Sequence, residues 1–246
     1  MTHHRPSIPV YLVRHGVTPW NATGLVQGWT DIPLSATGRA QAERVAAALA
    51  GVRFAAVLTS TLSRARETAE IAARPHALEL QIDADLREYH CGEWEGRPYQ
   101  EIRATEHARF FAWFNDPDVP MPGGESMRQS GGRAAGAVRR ALDRLEEERA
   151  RVRRAAGAAA PRQSFTNPGE GSDALLVVAH GGVNRLIAAD LLGLEIDVAK
   201  RMRLDNAAIC VFEPFLGAYA LKLWNSTAHL DGLSGEGEGD TASRIG

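Results

Sequence analysis

The sequence predicts an α/β protein, a three-layer α/β/α sandwich around a mostly parallel mixed sheet, and two observations predict it. The first is a set of short, β-branched apolar runs, "IPVYLV" at 8–13, "FAAVLT" at 54–59 and "ALLVVA" at 174–179, each continuous enough for a strand buried on both faces. The second is what separates them: segments with helical caps and spacing, so that strand and helix alternate along the chain.

Taken in order, "SATGRAQAERVAAALAG" reads as a helix that Ser35 or Thr37 starts and Gly51 ends. "STLSRARETAEIAAR" opens a second helix at a Ser/Thr pair directly after the second apolar run. A helical pattern runs from about Glu125 to Arg154, and "GGVNRLIAADLLG" follows the third run as another, closing on Gly193. "AAICVFEPFLGAYALKLW", 207–224, reads as two late strands about a turn at Pro214–Gly217, a hairpin at a sheet edge. One domain over residues 1–232 accounts for these elements. Two segments look added to it: a mobile insertion at about 149–173, rich in Ala, Gly, Pro and Ser, and a glycine-rich acidic tail at 233–246.

Bulk properties narrow the function. The chain has 246 residues and a formal charge of −2, so the broad cationic field of a nucleic-acid binder is missing. Arginines at 139–154 interleave with Glu146, Glu147 and Glu148 and read as a solvated helix face. No apolar stretch approaches the ~20 residues of a membrane span, and "MTHHRPSIPVYLV" is too short in apolar residues for a signal peptide; a cytoplasmic protein without membrane partners is expected. The two cysteines, Cys91 and Cys210, are too few for a disulfide framework. Neither HExxH nor a clustered His/Asp/Glu spacing is present, so no metal and no cofactor are expected.

Chemistry concentrates where the apolar runs stop. Arg14-His15-Gly16 follows the first run, and His180-Gly181-Gly182 follows the third in the same way. In open α/β sheets the crevice outside the carboxyl ends of the strands is the usual ligand site, so strand pairing can bring both histidines to one pocket. Arg64 falls in the first turn of a helix, where free backbone N–H groups favour an anion. Arg14, Arg64 and a helix N-terminus make a phosphate-sized positive pocket, and Gly16, Gly181 and Gly182 admit a ligand close to the backbone. An imidazole nitrogen can attack phosphorus, after which the leaving alkoxide needs a proton from a carboxylic acid. "LREYHCGEWEG" offers Glu88, Glu93 and Glu95.

These residues fall in an ordered set of motifs: "LVRHGVTPWN", "QGWTDIPLSATGRAQA", "TSTLSRARETAEI", "LREYHCGEWEG", "PGGES" and "VVAHGGVNRLI". The set resembles the histidine phosphatase superfamily, the phosphoglycerate-mutase-like branch, over nearly all of Val10–Leu230. The resemblance implies that His15 is the phosphorylated nucleophile, that Arg14, Arg64 and His180 hold the phosphoryl group, and that Glu88 is the general acid and later the base. It implies further that Asn21 lines the phosphate pocket, that Gln27 with neighbouring Gly28 approaches the substrate, and that no metal takes part.

The superfamily holds hydrolases and mutases. "GEWEG" resembles the phosphatase branch, and "RFFAWFNDPDVPMPGGES" is aromatic and acidic where a mutase would be basic. The expected partner is therefore a small phosphomonoester, hydrolysed to phosphate and an alcohol. A phosphoglycerate mutase is the alternative, and a non-catalytic sensor of a phosphorylated ligand is a second. Phe110, Phe111, Trp113 and Phe114 either roof an apolar substrate pocket or form helix core. Cys91 and Arg97 have the C-x5-R spacing of cysteine-dependent phosphatases, but Glu93 and Glu95 inside that loop would repel phosphate. The natural substrate is not encoded in any motif, and the oligomeric state stays open, a homodimer included.

Overall fold

Strand β1 (Val10–Arg14) lies inside a six-stranded sheet, and the chain builds outward from it. The computed structural model describes residues 7–155 and 173–233; all but the first residue of the tail expected at 233–246, and residues 156–172 of the insertion expected at about 149–173, lie outside these. After β1 come the short helix α1 (Pro19–Thr23) and α2 (Ala36–Leu49), then β2 (Phe54–Thr59), α3 (Ser63–Ala73) and β3 (Leu80–Ile82). An excursion carries α4 (Tyr99–Thr105) and α5 (His107–Asn115) before the long α6 (Met127–Ala155). Strand β4 (Ala174–Ala179), α7 (Gly181–Leu192), β5 (Ile209–Phe215) and β6 (Ala218–Ser226) complete the order.

The strands lie as β3-β2-β4-β1-β5-β6. The first four run parallel, and β5 and β6 pair antiparallel at one side, which makes the sheet mostly parallel and mixed. Alternation along each strand explains the three layers. Val10, Leu12, Leu175 and Val177 pack against Val138 of α6 and Ile187 of α7, whereas Val13, Leu176 and Val178 pack against Val45 of α2 and Ala69 of α3. All four residues of "LLVV" in β4 are fully buried, as a strand covered on both faces requires.

Local chemistry sets most boundaries. The Ser35 hydroxyl accepts from the Gly38 N–H at 3.0 Å and starts α2, while Gly193, at φ 64°, ends α7 in the left-handed conformation. Residues 149–155, expected in the insertion, instead continue α6. The late turn is tighter than expected, with only Leu216 and Gly217 between the strands, at φ 48° and 87°. Pro214 therefore stands inside β5, opposite Tyr219. The proline is tolerated there because pairing with β1 stops at Phe212, so no partner on that side needs its missing N–H.

A third apolar cluster stands apart from the sheet. Tyr89, Trp94, Tyr99, Ile102, Phe110, Met121 and Met127 gather the excursion into a cap that packs on Leu186 and Ala189 of α7. The cap closes over the end of the sheet where β1 and β4 finish.

Candidate active site

In the β1–β4 ladder Arg14 sits opposite Ala179, so the next residue on each strand, His15 and His180, emerges side by side. Their ring centroids are 5.2 Å apart, and the His15 N–H donates to the Ala179 carbonyl at 3.0 Å. Asn184 on α7 ties the same corner down, donating from Nδ2 to the Val13 carbonyl at 3.1 Å.

The His15 ring is fixed in one tautomer. Nδ1 lies 2.7 Å from the Gly16 carbonyl; a carbonyl only accepts, so Nδ1 carries the proton and Nε2 keeps the lone pair. Burial first, and then the charges of Arg64 and Arg14, hold this imidazole well below the ordinary histidine range, so it is neutral at neutral pH. His180 is depressed in the same way, by burial, Arg64 and His15, and neither of its ring nitrogens has a hydrogen-bond partner.

Two arginines flank the pair. Arg14 donates from Nη1 to the Leu204 carbonyl at 2.7 Å. Arg64, fully buried in the first turn of α3, donates to the carbonyls of Thr30 at 3.0 Å and Gly28 at 2.8 Å, and its Nε has no partner. Burial pulls Arg64 down to about 10, which leaves it charged at neutral pH. The loop that holds it is itself built by Glu95, whose carboxylate accepts from the N–H groups of Trp29 and Thr30, each at 2.8 Å. Burial would raise Glu95; hydrogen bonds from Thr30, Trp29 and Cys91 outweigh that and keep it ionised.

Of the three carboxylates offered by "LREYHCGEWEG", Glu88 alone lines the cavity. It receives the Gly182 N–H at 2.8 Å and the Val183 N–H at 3.1 Å, so it rests on the N-terminus of α7. Gly182 must be glycine for this: a Cβ there would stand 2.4 Å from Glu88 Oε1 and 2.2 Å from the Tyr89 ring. Glu93 points outward, its side chain 61% exposed beside Arg109.

Asn21, Gln27 and Gly181 also line the cavity. Asn21 Oδ1 accepts from the Thr18 N–H at 3.0 Å, and the Asn206 amide beside it donates to the His15 carbonyl at 3.1 Å. Gln27 Oε1 accepts from the Thr18 hydroxyl at 2.9 Å, while its Nε2 has no partner. Gly28, expected to approach substrate, is not in the cavity wall; its carbonyl anchors Arg64, and a Cβ on it would meet Glu95 Oε1 at 2.1 Å. Its small size serves loop packing.

The cysteine reading fails on electrostatics. Burial, followed by Glu88 and Glu95, pushes the Cys91 thiol well above its ordinary value, opposite to what a thiolate nucleophile needs. Arg97 is spent on Glu101 and Glu106.

Several residues of the site were not read from sequence. Arg133 of α6 donates to the carbonyls of Asp85, Arg87 and Glu88 at 2.7, 2.6 and 2.8 Å and pairs with Glu125 at 2.7 Å, bracketing the loop that carries Glu88. Glu125, the glutamate of "PGGES", also accepts from the His90 N–H at 3.0 Å. Arg185 and Lys200 also line the cavity, Arg185 donating from Nε to the Gly181 carbonyl at 3.1 Å. The segment 110–126 is aromatic and acidic as read, yet these two cations reach the same space from α7 and from the 3-10 turn Ile196–Arg201. The aromatic residues of α5 do both things weighed for them: Phe110 is buried in the cap, and Phe110, Trp113 and Phe114 form cavity wall.

The cavity measures about 140 Å³, roughly ten times the minimum space that holds one water, so a phosphoryl group alone would not fill it. Among the described residues no three His, Cys, Asp or Glu side chains cluster as metal ligands, and no helix is long and apolar enough to cross a membrane.

Comparison with known proteins agrees with this geometry. The profile of the histidine phosphatase superfamily, branch 1, matches residues 10–153 and 145–227. Phosphoglycerate mutase-like protein 4 of Arabidopsis thaliana is 34% identical over 228 residues, 90% of this chain and 86% of that protein. The adenosylcobalamin/alpha-ribazole phosphatase of Escherichia coli K12 is 31% identical over 223 residues, 89% of this chain and 96% of that protein. Among solved structures, the mycobacterial glucosyl-3-phosphoglycerate phosphatase in complex with VO3 superposes with a TM-score of 0.73 at 26% identity, over 89% of this chain and all of that one. With the profile spanning most of the chain and both histidines seated at neighbouring strand ends, the protein belongs to branch 1 of the histidine phosphatase superfamily.

Proposed function

We propose that the protein is a metal-independent phosphomonoesterase that works through a phosphohistidine on His15. The observation that carries the reading is the Nδ1–Gly16 hydrogen bond at 2.7 Å on a neutral ring, which leaves the Nε2 lone pair as nucleophile. In the first step Nε2 bonds to phosphorus as the ester P–O bond breaks. Arg14, Arg64 and His180 hold the non-bridging oxygens, and the two guanidinium groups carry the spread negative charge. Glu88, in its acid form, delivers a proton to the departing alkoxide. In the second step the Glu88 carboxylate takes a proton from water, the water oxygen bonds to phosphorus, and the N–P bond breaks to return free His15 and phosphate. His180, kept neutral by burial and then by Arg64, still carries one ring N–H, and with neither ring nitrogen partnered in the protein that N–H is available to a phosphoryl oxygen.

The test is direct. Phosphate release from a panel of phosphomonoesters in excess EDTA is expected from the native protein and not from His15→Ala. Label from substrate should be trapped on the native protein in an acid-labile, base-stable form characteristic of a phosphoramidate. EDTA-sensitive turnover, or label that survives acid, would overturn the reading.

A mutase reading draws on Arg185 and Lys200, two cations that could grip a carboxylate. Lys200 already pairs with Asp197 at 2.7 Å, which favours the hydrolase. Isomerisation of phosphoglycerates without phosphate release would reverse that preference.

A further inference from the structure

We propose that Glu95 is a positioning residue that sets the phosphate-holding Arg64 and the acid Glu88 together, by anchoring the loop at 28–30 that touches both. This rests on the phosphomonoesterase reading above and adds a residue to its machinery.

Hydrogen-bond accounting leads to it. Residues 27–34 make no hydrogen bond from main chain to main chain with any described residue. A loop without such bonds must find side-chain partners, and the Glu95 carboxylate supplies them. Its Oε1 accepts from the N–H groups of Trp29 at 2.8 Å and Cys91 at 3.2 Å; its Oε2 accepts from the Thr30 N–H at 2.8 Å and the Thr30 hydroxyl at 2.5 Å. Four donors on one carboxylate leave the loop little freedom, and bonds to an ionised acceptor are the stronger kind.

From this anchor the loop reaches two groups of the site. The carbonyls of Gly28 and Thr30, on either side of Trp29, receive Nη2 and Nη1 of Arg64, so both hydrogen bonds of that guanidinium to described residues end here. The Trp29 side chain goes the other way: its Nε1 donates to the Glu88 carbonyl at 2.8 Å. The Arg87 guanidinium, 4.9 Å from the ring centre, and His90, whose ring centre is 4.7 Å away, hold the indole in that orientation. Cys91, three residues past Glu88, joins the same carboxylate directly. Glu95 itself is not in the cavity wall, so it acts on the reaction through these groups.

Two measurements read the two sides separately. Calorimetry of inorganic phosphate reads Arg64. Rapid-quench transfer of label to the protein in the first turnover, at saturating propyl or 4-nitrophenyl phosphate, reads Glu88. Glu95→Gln keeps the volume but turns one acceptor oxygen into an NH₂ group that faces N–H donors. It is expected to weaken phosphate binding about tenfold and to slow first turnover of the propyl ester about tenfold more than that of the nitrophenyl ester, which needs little protonation. Trp29→Phe removes the bond to the Glu88 carbonyl, so it should open the same gap between the esters while phosphate affinity stays within about twofold. Should Glu95→Gln not fold, Thr30→Val deletes one of the four donors and reads the Arg64 side in its place, with about threefold weaker phosphate binding expected. Unchanged phosphate affinity in Glu95→Gln, or in Thr30→Val standing in for it, overturns the inference. So does equal proportional slowing of the two esters by Glu95→Gln or by Trp29→Phe, the result of a merely structural role. Phosphate binding that weakens in Glu95→Gln while the native protein hydrolyses no ester would instead sink the phosphomonoesterase reading and leave the support of Arg64 standing.

Discussion

Removing the Arg133 guanidinium tests whether the loop carrying Glu88 is held from α6. Arg133 and Glu125 are only 15% and 20% exposed in their side chains, so Arg133→Met strands one carboxylate and three carbonyls in a poorly solvated place. Breaking a buried ion pair costs about 3–5 kcal/mol. Partial solvent access here argues for the lower end, about 3 kcal/mol, with water taking over some of the carbonyls. Against a typical total of about 5–15 kcal/mol the variant still folds. Urea denaturation measures the loss. Under the proposed mechanism a slackened Glu88 matters most where protonation of the leaving group is needed, so turnover of alkyl phosphates should fall at least tenfold more than that of 4-nitrophenyl phosphate. Arg133→Lys should recover only part of both effects, because one ammonium cannot reach three carbonyls and a carboxylate together. A stability loss under about 0.5 kcal/mol, within the usual range for surface substitutions, would refute the energetic argument. Equal proportional losses on both substrates would refute the positioning argument.

Glu88→Gln should likewise spare the first-turnover burst of nitrophenolate and slow first-turnover release from alkyl phosphates strongly, since the amide keeps the shape but cannot give up a proton; parallel losses in that first turnover would remove Glu88 from the acid role. Gly182→Ala places a Cβ 2.2 Å from Tyr89 and 2.4 Å from Glu88 Oε1, so it is expected to cost about 1–3 kcal/mol and most of the activity, checked by denaturation and alkyl phosphate turnover. Stability should also depend on pH through His15 and His180. Both are depressed in the folded protein, so below about pH 6.5 the unfolded chain binds more protons than the native one. Native stability is then complete above that pH and falls as acid is added, by up to about 1.4 kcal/mol per histidine per pH unit. A urea midpoint that stays flat from pH 7 to pH 5.5, or a slope that persists in the His15→Asn/His180→Asn double variant, would contradict this.

The fold class was legible because β1, β2 and β4 are continuous apolar runs, the pattern of strands covered on both faces. Strand β3 was missed because it is three residues long and partly exposed at the sheet edge, so "LQI" carries no such pattern. That Arg14, His15 and His180 share one end of the sheet could be read from their places after apolar runs. That the two strands are immediate neighbours is a matter of pairing, which no local pattern states. Arg133 was invisible for a related reason: an arginine among the alanines of a long helix reads as a solvated face, and only the tertiary approach of residues 85–88 gives it partners. Trp113 and Phe114 have one sequence signature for two jobs, since core and cavity wall both ask for large apolar side chains.

The position of β1 in the sheet bears on how the protein is made. Both of its hydrogen-bonded neighbours, β4 and β5, come from beyond residue 173; Val10 pairs with Leu175 and with Phe212. During synthesis at roughly 5–20 residues per second, some ten to thirty seconds pass between the emergence of the "VYLVR" strand and that of its first partner. Until then an apolar strand ending in Arg14 has no edge to join, and Arg14 and His15 have no His180 beside them. A nascent chain halted before residue 174 would thus carry Arg14 and His15 on an unpaired apolar strand, the kind of segment that aggregates until its own neighbours arrive.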